Sequence, residues 1–178
     1  VILYVLIIAA WVPVTIGWVG RARALSALAA VVLLGAAVVV RVTADVDVDE
    51  GVLALFAAVL AVAGGSVVTT AVFDLIDAQS TAGEAESMEA AGNILRGGTW
   101  IGALERVAVF GSLAVNMPAG VALVLAVKGL GRYPELRSAK RPAAAERFII
   151  GTLVSVLWAA VCAYVAIGFQ PIGLTLAS

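Results

Sequence analysis

Histidine is absent from this 178-residue chain, cysteine occurs once, and charged residues make up only 13% of it. The missing histidine removes the commonest general base, proton relay and metal ligand. The single cysteine, Cys162, excludes an internal disulfide and a cysteine-rich metal site, and its apolar neighbours mark it as a small buried hydrophobe. A formal net charge of −1 gives no basic field, so no nucleic-acid partner is expected. The sequence also lacks a P-loop, a nucleotide-binding fingerprint and a nucleophile elbow. With no catalytic set to serve, no cofactor is expected.

What fills the chain is apolar: 63% of residues are hydrophobic, and the mean hydropathy is +1.11. Soluble domains are about 45–50% apolar, so the solvent implied here is lipid. Each span needs about 20 residues. The sequence therefore predicts an all-α fold, a polytopic membrane helix bundle forming one transmembrane domain over 1–178. About five transmembrane helices are expected, near 1–19, 25–40, 52–73, 99–127 and 147–169. Residues 1–19 have no basic flank or cleavage pattern and read as a first span rather than a signal peptide. The chain opens on Val1, which suggests further residues upstream. Richness in Ala, Val and Gly with little Lys fits a bacterial protein, placed in the plasma (inner) membrane. The segment Gly83–Arg96 reads equally as a short amphipathic surface helix or as a solvated acidic loop, and Gln170–Ser178 has the composition of an interfacial tail.

Five crossings put the two termini on opposite sides. Counting Lys and Arg alone, the basic segment 128–147 dominates and is assigned to the cytoplasm, with the N-terminus inside and the C-terminus outside. Arg21 and Arg23 argue the other way. An upstream segment or a re-entrant one would remove that conflict.

Two ionisable residues, Glu105 and Arg106, fall inside the fourth expected span, where a charge costs about 2.5–3.5 kcal/mol on insertion scales. On a helix, Gly98, Gly102, Glu105, Val109, Ser112 and Asn116 form one seam, small or polar except at Val109. Span three has a matching seam of Ser66, Thr70, Asp74 and Asp77, with Gly64 and Gly65 a turn earlier. Span five adds Gly151, Ser155 and Cys162. These faces predict a polar path or pocket between spans three, four and five, with Glu105, Arg106, Ser112, Asn116, Ser66 and Thr70 as binding residues. Small and hydroxyl residues also serve as ordinary packing between membrane helices. Arg106 is within snorkelling reach of Asp74 and, if buried, is expected to contact Asp74, Asp77 or Glu105. Asn116, beside Pro118, is placed to satisfy carbonyls freed by the proline. Asp74 and Asp77 lie one turn apart and offer a weak site for a divalent cation. Lys128 and Arg132 are candidates for contact with anionic lipid head groups.

The run Ile101-Gly102-Ala103-Leu104-Glu105-Arg106 matches an I-G-x-L-E-R pattern. Ala126–Tyr133 reads A-V-K-G-L-G-R-Y, and Ala145–Ser155 reads A-E-R-F-I-I-G-T-L-V-S. In this order the segments resemble the C-terminal part of a bacterial integral-membrane family of uncharacterised function, over about residues 92–160. That family carries A-A-K-S-x-x-R-F and A-E-Y-F-x-x-G-T-L-x-S segments. Gly129 stands here for its Ser and Tyr133 for its Phe, and the His and Asp motifs of its N-terminal half have no counterpart. The resemblance implies one constellation of Glu105, Arg106, Lys128, Arg132, Glu146, Gly151 and Thr152, and implies no activity.

Three functions compete. The first is small-solute or ion transport through a polar inter-helix site. The second is a non-catalytic accessory or scaffold subunit of a membrane complex. The third is a membrane enzyme acting on a lipid phosphate or prenyl diphosphate. The expected partners are membrane lipids and a homo-oligomer or larger membrane complex.

Overall fold

The structure is a computed structural model that describes residues 1–20, 22–44, 48–78, 98–133 and 142–168. The surface helix or acidic loop expected over 83–96 and the tail 170–178 lie outside the described residues. Six helices make up the described chain: α1 (Ile2–Val19), α2 (Arg23–Thr43), α3 (Glu50–Asp77), α4 (Gly98–Ala114), α5 (Ala119–Gly131) and α6 (Pro142–Ile167). No strand occurs among the described residues. Four segments are long and apolar enough to cross a membrane: α1, α2, α3 and Ala145–Ile167 of α6. The chain is thus a helical membrane bundle.

Helix α3 is the centre of the bundle and packs against α1, α2, α4 and α6. Its inward face sets small residues, Ala57, Ala61, Gly64, Gly65 and Ala71, among Leu53, Leu60, Val67 and Val68, and shares its core with Ala159 and Ala163 of α6. Lipid offers no hydrophobic drive for helix association, so close backbone approach of this kind supplies the dispersion contacts that hold membrane helices together. The opposite faces carry exposed Leu28, Val32, Leu55, Leu153 and Leu157. Exposed apolar side chains on this scale suit contact with acyl chains.

Polar groups tie the helix ends. At one end, the Asp49 carboxylate caps α3 by accepting from the Val52 N–H at 3.1 Å, Tyr4 Oη donates to the Asp49 carbonyl at 2.9 Å, and Arg41 pairs with Glu50 at 3.1 Å. At the other end, Arg23 pairs with Asp74 at 2.9 Å, and Arg147 grips both oxygens of Asp77 at 2.8 and 3.1 Å. These pairs explain why α2 and α3 run past the apolar stretches 25–40 and 52–73: the flanking charges are satisfied without ending the helix.

The fourth expected span, 99–127, is not one helix. Asn116 adopts a left-handed conformation, with φ 55°. Its N–H donates to the Leu113 carbonyl at 2.9 Å, and the Met117 N–H donates to the Ser112 carbonyl at 2.8 Å. This pair of bonds is a Schellman stop, and Pro118 follows where a helix cannot continue. Asn116 thus acts through its backbone conformation. Helix α5 then folds back along α4: Ser112 sits beside Gly120 near the turn, and Glu105 is bonded to Lys128 far from it. Contact at both positions makes the pair an antiparallel hairpin. At 1.5 Å per residue α5 is roughly 20 Å long, short of the roughly 30 Å of hydrocarbon.

The fold-back changes the topology. The hairpin begins and ends near the C-terminal end of α3, and α6 starts there too, through Arg147 and Asp77. Helix α6 then ends at the opposite pole, where Gly168 lies against Arg41 and where α1 begins beside Asp49. The start of α1 and the end of α6 therefore share one end of the bundle, whereas five crossings would have separated them.

Candidate functional site

Between α3, α4, α5 and α6 lies an open cavity of about 940 Å³. Arg106 forms part of its floor, and a glycine pair in α3 makes room for two large side chains. Gly64 leaves room for the Trp158 indole, which donates to the Leu60 carbonyl at 3.2 Å. Gly65, next in sequence, leaves room for the Arg106 side chain to lie across α3. A side chain at either position would collide with these groups.

Arg106 is only 4% exposed. Its Nε donates to the Val62 carbonyl at 3.1 Å, one terminal nitrogen to Ser155 Oγ at 3.1 Å and the other to Ser66 Oγ at 2.8 Å. All three acceptors are neutral, and among the described residues no ion pair joins Arg106 to a carboxylate. A guanidinium has five N–H donors, so two remain. Ser66 lies about three helical turns from Asp77, roughly 16 Å along α3, which puts this charge near the middle of the bundle.

Toward the C-terminal end of α3 the cavity is ringed by Lys128, Arg132 and Arg147. Lys128 is bonded to Glu105 and lies 5.6 Å from the Phe148 ring centre. Arg147, held by Asp77, stacks 4.3 Å from the centre of Phe73. Cation–π contact of this kind stabilises a charge in low dielectric. Lys128 and Arg147 are each paired with a carboxylate, Glu105 and Asp77, whereas Arg106 is held by neutral acceptors alone. The remaining walls of the cavity include Ile101, Leu104, Leu123, Val124 and Val127.

Of the residues singled out in the sequence, Ser66, Thr70, Glu105, Arg106, Lys128 and Arg132 line this cavity. Ser112 instead packs against Gly120, and Asn116 forms the hairpin turn. Arg106 does not snorkel to Asp74, because Arg23 holds that carboxylate and Gly65 draws the guanidinium inward. Asp74 and Asp77 are taken by arginines on different helices rather than converging on one point. Among the described residues, no cluster of three potential metal ligands occurs. Of the constellation implied by the family resemblance, Glu105, Arg106, Lys128, Arg132 and Gly151 line the cavity; Thr152 is buried close by in sequence and Glu146 is exposed.

Sequence reasoning missed Arg147, Phe73, Phe148 and Thr69 as lining residues. Arg147 reads as one more cation of a basic segment, and its partner is seventy positions away. No protein-family model, no curated protein and no solved structure matches the chain.

Proposed function

We propose that this multi-pass membrane protein binds an anionic group in the cavity beneath the α4–α5 hairpin and serves the transport of the molecule that carries it. Arg106 is the observation that carries this reading. A charge at membrane depth is costly, and residues that bear that cost mark substrate or ion pathways. Three neutral acceptors orient the guanidinium, and the neighbouring Glu105 carboxylate is bonded to Lys128, so no carboxylate among the described residues pairs directly with this buried charge, which is the expensive case for a buried ion. An anion in the cavity supplies the counter-charge and takes up the two remaining N–H groups. The hairpin walls this cavity with both of its helices, from Ile101 to Ala108 of α4 and from Leu123 to Gly131 of α5, and a cavity with a charge at membrane depth favours transport over a scaffold role.

The fold-back also brings Asp77 to the same end as the basic cluster, which five crossings would have kept apart. Arg147 occupies both of its oxygens, so a metal-dependent enzyme acting on a lipid phosphate ranks below transport. Among the described cations outside the cavity floor, Arg23, Lys128, Arg132 and Arg147 lie toward one end and Arg41 toward the other. The positive-inside rule then makes the cationic end cytoplasmic in a bacterial inner membrane, with the start of α1 and the end of α6 outside.

The test is thermal unfolding in neutral detergent, titrated with inorganic phosphate and diphosphate against chloride at matched ionic strength. Near-saturating anion is expected to stabilise the wild type by about 2–3 kcal/mol and Arg106→Gln by far less. Arg106→Lys, which keeps the charge, is expected to retain part of the response. A wild type indifferent to every inorganic and lipid-borne anion overturns the reading.

A further inference from the structure

We infer that the ligand is a lipid bearing a phosphate monoester, held by its head group at Arg106 with its chain along the apolar wall. This rests on the reading that the cavity binds an anion, and it names the molecule behind that anion. Size is the first argument. About 940 Å³ is at the upper end of the roughly 300–1,000 Å³ typical of sites for drug-sized molecules, far more than a free oxyanion fills.

Shape is the second. Leu104, Leu123 and Val127 line the cavity yet are 68%, 65% and 62% exposed, so its apolar wall runs on to the outer face of the hairpin. A chain lying on that wall leaves toward the acyl region without crossing a polar barrier. A small hydrated anion gains nothing from such a wall.

Polarity is the third. The cations are graded, with Arg106 deep and Lys128, Arg132 and Arg147 nearer the helix ends. The Arg106 fork has two N–H groups that its three acceptors leave unused, and a guanidinium fork matches the oxygens of a phosphate. On the same cavity, three residues along α3 from Ser66, the Thr69 hydroxyl is buried and has no hydrogen-bond partner among the described residues. Cationic head-group contacts and an apolar chain track in one cavity recognise an anionic amphiphile.

The experiment compares three probes on the purified full chain by thermal stabilisation: dioctanoyl phosphatidate, dioctanoylglycerol and inorganic phosphate. Each buried methylene strengthens binding about fourfold, so phosphatidate is expected to act at a concentration at least about tenfold below phosphate. Dioctanoylglycerol, with the same chains and no charge, is expected to have no effect. A second variant separates chain from head group. Ala108→Phe adds apolar bulk at an uncharged lining position and leaves every cation of the cavity in the sequence, and it is expected to abolish the preference for phosphatidate while sparing the phosphate response. Equal potency of phosphate and phosphatidate overturns the inference and leaves the anion site standing. Dioctanoylglycerol as effective as phosphatidate overturns the inference, because the head-group charge then adds nothing to lipid binding. Silence of all three probes overturns the anion site itself.

Discussion

Lys128 on α5 donates to Glu105 on α4, and the two residues sit at matching distances either side of the Asn116 turn. This one contact closes the hairpin and fixes where its cationic face points. Both side chains are largely buried, 17% and 12% exposed. Removing one partner of such a pair strands the other charge, at a cost of about 3 kcal/mol. Glu105→Gln and Lys128→Met are each expected to lower the melting temperature in detergent, and the double variant to recover part of the loss. A double variant as unstable as the sum of the two single ones would show that the pair is not coupled.

Gly65 and Gly35 make a matched pair of probes. A side chain at Gly65 meets Arg106, whereas one at Gly35 meets nothing within 4 Å. Gly65→Val is expected to cost about 1–3 kcal/mol through overpacking and to remove the anion response along with the guanidinium position. Gly35→Ala is expected to stabilise by about 0.5–1 kcal/mol, because glycine in a helix interior is the looser residue. Unfolding curves of the two variants decide this, and similar effects at both positions would mean that Arg106 does not lie over Gly65.

The helices themselves are legible in the sequence, because an apolar run of span length is at home in lipid and in little else. The seam through Ser66, Thr70, Glu105 and Arg106 is legible too, since helical spacing alone puts those residues on facing sides. The break at Asn116 is not. A proline within an apolar run, as in Asn116-Met117-Pro118, is compatible with a bent span as well as with a stop. The difference lies in the φ of one residue, which sequence spacing does not report. From that turn come the remaining differences: the direction of α5, the shared end of α1 and α6, and the gathering of Lys128 and Arg147 around one cavity. The Gly64–Gly65 pair is visibly small in the sequence, but only the packed structure shows that one glycine admits a tryptophan and the other an arginine.

The turn makes its own expectation. Left-handed backbone at a residue with a branched β-carbon costs about 1–2 kcal/mol. Asn116→Val is expected to destabilise by that amount and Asn116→Gly to be neutral or better. Chemical or thermal unfolding of both variants measures it. Equal tolerance of valine and glycine would contradict a left-handed turn.

Cys162 gives a further check that needs no mutation. It is fully buried between α6 and the core. A membrane-permeant maleimide is expected to leave the native protein unlabelled and to react fully after unfolding in dodecyl sulfate. Rapid labelling of the native protein would place α6 elsewhere.

The central claim is that residues 98–131 enter the membrane and return to the side they came from. Compartment-sensitive reporters fused at Thr81 and at Ala139 test it most directly, since these positions lie before and after the hairpin in sequence. Both reporters are expected to report the same compartment, the cytoplasm. Opposite compartments would mean that 98–131 crosses the membrane as one span, and the cavity, its cationic ring and the anion site built on them would all be contradicted.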